Sequence, residues 1–298
     1  MIEHSAELAY PRHVSEEVDL LARALGSAGR VCLFLDYGGT LVPARQGRPA
    51  KPRREVLKKL GQIAGEDAFS VFVVSRRCVA ELSELVNVPG VNFVGQGGFE
   101  IKRGDEPTYF PVDPRVAGGV IQDLEHGAMG CLACFPRVKV ENRGFTVAIR
   151  LPDRDEDAAR EASQRFLALV REMDSRRQLE VFYREGAVEA RLSGWNKGHA
   201  VSHILSDEDV VETLAIYVGD DFTDEDAFEA VTEWSNLDEP EPSWAPPDID
   251  EDDELPPRAI TVLVADSPRP SGASLFVRSP KEVYEFVSSL AAVASSIL

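Results

Sequence analysis

Three short apolar runs stand out along the chain, at residues 31–36, 71–75 and 215–219, and a fourth at 260–265 is similar. Each is nearly continuous in apolar residues and too short for an ordinary helix, the pattern of a strand buried on both faces. Helical periods lie between them. Residues 15–25 place Val18, Leu21 and Leu25 on one face, and 54–63 do the same with Val56, Leu57, Leu60 and Ile63. Residues 196–205, 224–231 and 282–298 are further helices. Strands alternating with helices predict an α/β fold: a doubly wound, Rossmann-like parallel sheet with helices on both faces.

The middle of the chain follows a different rule. Residues 114–127 read as a helix, 137–151 and 180–192 as alternating strand-like runs, and 153–175 as a charged amphipathic helix with Phe166, Leu167, Val170 and Met173 on its apolar side. This α–β–β–α–β–β order predicts an antiparallel sheet carrying two helices. It follows the third strand region of the main sheet, at 91–95. The predicted organisation is a core domain of residues 1–112 plus 193–298, with an α+β cap inserted at 113–192. Residues 238–257 hold six prolines, and nine acidic residues fall between Asp238 and Glu254. Such a segment buries little apolar surface, and is expected to be a surface loop.

Composition narrows the function classes. The formal net charge is −19, which argues against nucleic acid or an anionic membrane as the main partner. No apolar run approaches the ~18–20 residues of a membrane helix. The first thirty residues lack the basic-then-apolar order of a secretory signal. The expected protein is cytoplasmic and monomeric, acting on a small molecule. Cys32 and Cys78 lie in apolar stretches and read as small core residues. Cys131 and Cys134 have the spacing of a redox or zinc half-site, to which His126 offers one more ligand; without a second pair they read as two cysteines in or beside a strand.

The chemistry-bearing residues sit at element ends. The first strand runs into Asp36-Tyr37-Gly38-Gly39-Thr40, and open α/β sheets place their sites at the carboxyl ends of strands. The third apolar run opens into Gly219-Asp220-Asp221-Phe222-Thr223-Asp224-Glu225-Asp226, five acids within seven positions. Such a cluster suits a hard cation such as Mg²⁺, although Glu225 and Asp226 are also what a helix N-terminus favours. Ser75 ends the second strand, and Lys197 opens a helix, where ammonium and backbone amides together suit a phosphate.

In this order the four elements resemble the haloacid dehalogenase (HAD) superfamily of phosphohydrolases. The run 219–228 resembles the trehalose-6-phosphate phosphatase family specifically, whose pattern there is GDD-x-TDEDAF. The stretch 191–200 is similar to that family's RP-x-G-x-x-KG-x-A, with Leu192 in place of proline. Glu141-Asn-Arg143-Gly resembles its E-x-KG cap motif, and Glu189 and Arg191 match the E-x-R of a second cap stretch. The resemblance implies that Asp36 is the nucleophile, forming an aspartyl-phosphate. It implies Mg²⁺ on Asp36, the Gly38 carbonyl and Asp220, with Asp224 and Asp221 acting directly or through water. Thr40, Ser75 and Lys197 would hold the phosphoryl group. Glu141, Arg143, Glu189 and Arg191 would contact the sugar of a trehalose-6-phosphate-like substrate, over which the cap closes.

The chain also departs from the family. The motif after the nucleophile is D-x-D-G-T, and Gly38 stands where its second aspartate protonates the leaving alcohol and then activates water. General acid–base help is typically worth ~10²–10⁴-fold. The expectation is therefore retained binding with weak or absent turnover, either as a slow phosphatase or as a non-catalytic relative with a regulatory or partner role. Ser75-Arg76-Arg77 replaces S-G-R, Gly97-Gly98 replaces an H-G pair, Arg143 replaces a lysine and Arg150 a histidine.

Overall fold

A computed structural model describes residues 9–44, 50–152, 155–174, 178–184, 186–237 and 256–294. The acidic, proline-rich segment lies outside the described residues from 238 to 255. In chain order the elements are β1 (Arg12–His13), α1 (Val18–Ser27), β2 (Arg30–Asp36), α2 (Arg54–Ile63), β3 (Phe69–Val74), α3 (Val79–Val86), β4 (Val91–Gly95) and β5 (Glu100–Lys102). There follow α4 (Pro114–Cys131), β6 (Lys139–Asn142), β7 (Thr146–Arg150), α5 (Glu156–Met173), β8 (Leu179–Arg184) and β9 (Ala187–Leu192). The chain ends with α6 (Lys197–Leu205), β10 (Thr213–Gly219), α7 (Phe222–Ser235), β11 (Ala259–Val264), β12 (Leu275–Val277) and α8 (Pro280–Ala294). Contacts divide it into two compact units, Met1–Thr108 with Lys197–Leu298, and Tyr109–Asn196.

The first unit carries a sheet in the order β1-β12-β11-β10-β2-β3-β4-β5. All pairings are parallel except that of β4 with the short β5. Strand β2 shows how an apolar run builds a two-sided core. Side chains alternate across a strand, so Val31, Leu33 and Leu35 enter one core with α1, α2, α3 and α8. Cys32 and Phe34 enter the other, with α6 and α7. Burying one such side chain contributes roughly 1.5–3 kcal/mol, and β2 is buried from Val31 through Asp36. The chain passes from β2 to β3 and β4 on one side, and returns through β10, β11 and β12 on the other. The crevice between the carboxyl ends of β2 and β10 is thus a topological switch point, where such sheets bind ligands.

The second unit is a four-stranded antiparallel sheet, β6-β7-β9-β8. Val147, Ile149, Val188 and Ala190 are buried on one face. Ala162, Phe166 and Val170 are the buried positions of α5, while Ile121, Leu124 and Ala128 are among those of α4. Glu141, Glu189 and Phe182 are in register across the opposite face.

Two expectations about cysteines need correction. Cys131 is the last residue of α4 and Cys134 is exposed in the turn beyond it, so neither lies in or beside a strand. His126 is exposed on α4. Among the described residues, no cluster able to hold a metal includes Cys131, Cys134 or His126. Cys78 is half-buried at the start of α3, where its backbone caps the helix; only Cys32 is a core residue.

Candidate active site

Asp36 ends β2 and is buried. The chain then turns at once: Leu41 and Val42 donate backbone N–H groups to the Tyr37 carbonyl, and Gly39 donates to that of Val42 at 2.6 Å. Gly39 has φ +104°, a conformation that favours glycine. A Cβ there would stand 2.0 Å from Asp220 Oδ2, so the glycine is also what lets the Asp220 carboxylate lie against this loop. At Gly38 a Cβ would meet nothing within 4 Å.

The acidic loop after β10 is organised around Asp224, which is fully buried. Its Oδ2 accepts the backbone N–H groups of Asp220 and Asp221, each at 3.0 Å. Its Oδ1 accepts Lys197 Nζ and the Tyr217 hydroxyl, both at 2.7 Å. Four donors thus fill the acceptor positions of one carboxylate. The fold reaches this arrangement through Gly219, where a Cβ would lie 2.3 Å from the Asp224 carboxyl carbon. Asp221 is the N-cap of α7 and accepts from Thr223, forming a capping box with Asp224.

Lys197, 2% exposed, opens α6 and bridges the end of β2 and the first turn of α7, donating to Asp36 Oδ1 at 2.6 Å as well as to Asp224. Burial works against its charge, but Asp224 and Asp36 outweigh that and hold the ammonium protonated. Burial pushes the Asp36 carboxyl up to about 7; Lys197 opposes the shift, and Asp224 and Asp221 add to it. Burial and the Asp36 charge push Asp220 up to about 9. Tyr217 is held far above the usual phenol range by burial beside Asp224, so it remains a donor.

Asp36, Asp220 and Asp224 each offer an oxygen within 4.8 Å of the others. When ionised, three carboxylates around one ammonium leave two negative charges in excess, which one divalent cation balances. Asp220 Oδ1 is buried without a hydrogen-bond partner among the described residues, and a buried carboxylate oxygen in that state is costly unless it meets a cation. The donor set is all oxygen, as Mg²⁺ or Ca²⁺ requires. The residues present therefore fit a hard divalent ion, with Asp220 and Asp36 the better placed ligands because the Asp224 oxygens are already occupied.

Ser75 follows β3, buried; its hydroxyl accepts from Arg77 N at 3.2 Å, and its carbonyl accepts from Gly97 N at 2.9 Å. Gly97-Gly98 thus belongs to the backbone frame that holds Ser75. Thr40 is fully buried, and its hydroxyl has no partner among the described residues. In the second unit, Arg143 donates to Glu141 and to buried Glu189, both at 2.7 Å, and Arg150 pairs with the other Glu141 oxygen. Arg191 donates to Glu180 at 3.0 Å and lies over the Phe182 ring.

The structure thus brings Asp36, Lys197, Asp220 and Asp224 into one cluster, beside Gly38. Asp221 serves as a helix cap at its edge. Two groups have no signal in the sequence pattern. Tyr217 reads there only as a buried strand residue. Glu225 reads as a helix N-terminal acid, yet it accepts from Ser271 Oγ, Gly272 N and Arg269, while Arg269 also donates to the Asp220 carbonyl at 3.4 Å. This clamp ties the 266–272 loop to the acidic loop.

A switch-point aspartate held by a helix-borne lysine, facing an acidic loop, places the fold in the HAD-like class of phosphohydrolases. The trehalose-phosphatase family model matches residues 34–241, and the chain belongs to that family. It is 29% identical to a trehalose-phosphate phosphatase of Mycobacterium marinum, over 96% of this chain and 69% of that protein. Its fold is shared with the C-terminal domain of Candida albicans trehalose-6-phosphate phosphatase, with TM-score 0.74 and 19% identity over 96% of this chain and 99% of the other. The C-terminal domain of the Candida albicans trehalose synthase regulatory protein also has this fold, with TM-score 0.70 and 13% identity over 95% and 99% of the two chains.

Proposed function

We propose that the chain transfers the phosphoryl group of a sugar phosphate, trehalose-6-phosphate foremost, to Asp36 and from there to water, with Mg²⁺ as cofactor. The observation that carries this reading is the Lys197 bridge, which fixes Asp36 Oδ1 at 2.6 Å while tying it to the loop that bears Asp220. Asp36, the Gly38 carbonyl and Asp220 would hold the ion, and the bound cation would supply charge neutralisation at the phosphoryl oxygens. Asp36 attacks phosphorus as a carboxylate nucleophile. Lys197 offsets negative charge beside it, and Ser75, from the neighbouring strand, holds a phosphoryl oxygen. Asp224 positions Lys197 and the acidic loop. Glu141, Arg143, Glu189 and Arg191 are assigned to the sugar through the family pattern.

The sugar oxygen must take up a proton as it leaves, and Gly38 has no group to give one. Turnover is accordingly slow. The same glycine favours a second reading, a protein that binds Mg²⁺ and a sugar phosphate in a regulatory role without completing the reaction. Phosphate release from trehalose-6-phosphate with Mg²⁺ separates the two. The first reading expects slow release by this chain, a gain of about 10²-fold or more in Gly38→Asp, and none in Asp36→Asn. No release by this chain, with rescue in Gly38→Asp, removes the first, and calorimetric binding of Mg²⁺ and the sugar phosphate by this chain then supports the second. Activity unchanged in Asp36→Asn removes the nucleophile assignment.

A further inference from the structure

The reaction proposed for Asp36 has two steps, and the missing side chain at Gly38 affects them unequally. In the first, a bond forms between an Asp36 carboxylate oxygen and phosphorus, and the bond from phosphorus to the leaving oxygen breaks, its electron pair departing with the leaving group. A sugar alkoxide needs a proton at that moment. An acyl carboxylate does not, because it leaves as a stable anion. In the second step, water attacks phosphorus, the bond to Asp36 breaks and the carboxylate is regenerated. Here the water must lose a proton whatever the donor was.

Of the carboxylates clustered with Asp36, Asp220 has an oxygen without a hydrogen-bond partner among the described residues, and the cation that the cluster fits would occupy it. The other described groups of the cluster offer no ready acceptor for that proton. Gly38 has no side chain, and a Cβ there would meet nothing within 4 Å. Lys197 is committed to donating to Asp36 and Asp224. Asp224 is filled by four donors. The nucleophile itself is intact: Lys197 donates to one of its two oxygens, Oδ1. The site has kept what forms an aspartyl-phosphate and lost what hydrolyses it.

We infer that this chain is a phosphoryl acceptor: it takes a phosphoryl group onto Asp36 from an acyl phosphate and keeps it. The inference rests on the reading of Asp36 as nucleophile and assigns a further class of donor to the same site. It also gives the site a function that slow turnover alone does not: a long-lived covalent mark on a buried strand end, able to alter the charge around Lys197 and the acidic loop.

The test uses the full chain with Mg²⁺ and acetyl phosphate as the probe, followed by intact mass spectrometry. The expected result is a mass gain of one phosphoryl group, mapped to Asp36, removed by hydroxylamine and absent in Asp36→Asn. Its decay is expected to be slower than in Gly38→Asp by about 10²–10⁴-fold, the usual contribution of a general acid–base group. With p-nitrophenyl phosphate, whose leaving group also departs as a stabilised anion, the chain should show a burst of one equivalent of nitrophenolate before a slow steady rate. If no adduct forms or persists while Gly38→Asp hydrolyses trehalose-6-phosphate, the acceptor function is overturned and the reading of the site stands. If the adduct is absent and Gly38→Asp is also inactive though folded by circular dichroism, both fall. An adduct that maps elsewhere, or survives Asp36→Asn, overturns the inference as well.

Discussion

Lys197 Nζ and Asp36 Oδ1 are 2.6 Å apart, and both side chains are almost entirely withdrawn from solvent. A buried ion pair adds little over an apolar pair of the same shape, but removing one partner strands the other. Replacing Lys197 by alanine leaves Asp36 and Asp224 buried without their shared cation. The expected cost is ~3–5 kcal/mol in urea denaturation without divalent ions. Part of it should return with Mg²⁺, because the cation replaces some of the lost charge. An unchanged denaturation midpoint would show that the bridge is not formed in solution.

Asp220 and Asp224 are expected to respond oppositely to the same change. Asp224→Asn loses a carboxylate that satisfies four donors, and should destabilise the chain by about 2–4 kcal/mol. Asp220→Asn removes a repelled carboxylate whose Oδ1 lacks a partner among the described residues. In chelator it should leave the chain as stable as before, or more stable by about 1–2 kcal/mol. In return it should abolish the rise in melting temperature expected with Mg²⁺. Melting curves for both variants, with and without Mg²⁺, decide the matter; equal destabilisation would refute the division of labour.

The pH dependence has a defined sign. Asp36 and Asp220 are raised from an ordinary 3.8 to about 7 and about 9, by burial first in each case. A carboxyl raised on folding contributes stability that is complete below its unfolded value and lost as pH climbs through its folded value. Without divalent ions the chain should therefore lose stability from about pH 4 upward, most of it by about pH 9. Excess Mg²⁺ should flatten that decline, since the cation takes the place of the protons. Calorimetry in buffers of different ionisation enthalpy should show protons released on Mg²⁺ binding near pH 7. Release of none would contradict the arrangement.

Gly219→Ala tests the packing beneath the acidic loop. The added methyl would fall 2.3 Å from the Asp224 carboxyl carbon. Overpacking of this kind costs typically ~1–3 kcal/mol. The expected signature is a larger loss of Mg²⁺ affinity than of stability, because Asp224 must move and carries the amides of Asp220 and Asp221 with it. Calorimetric titration with Mg²⁺ against the denaturation midpoint reads both.

In the inserted unit, two ion pairs of the same network differ in burial. Arg143–Glu189 joins side chains 29% and 8% exposed, whereas Arg150–Glu141 joins 41% and 32%. Double-mutant cycles should give a coupling of about 1–3 kcal/mol for the first and less than about 1 kcal/mol for the second. Equal couplings would show that burial does not separate them.

Much of the sheet was legible in the sequence because β2, β3, β10 and β11 are buried on both faces and therefore continuous in apolar residues. Helices α2, α5 and α7 were legible because their period is long enough to stand out. Strands β1, β5 and β12 span two or three residues and carry no period; they exist only because neighbouring strands pair with them. At the site, Asp36, Lys197 and the acidic loop could be placed from strand ends and a helix start. The occupation of Asp224 by Tyr217, the use of Asp221 as a cap and the grip of Glu225 on Ser271 and Gly272 could not. Each depends on side-chain directions that only the packed chain fixes.

The open space at Gly38 has a meaning in evolutionary time. Proteins that lose a catalytic group often let neighbours settle into the vacated volume, and each such change makes return harder. Here a Cβ would meet nothing within 4 Å, so the backbone leaves room for a side chain at this position, while Arg76, Gly97 and Arg150 also differ from the family pattern. A single-nucleotide step from some glycine codons gives an aspartate, whose Cβ this backbone would accommodate.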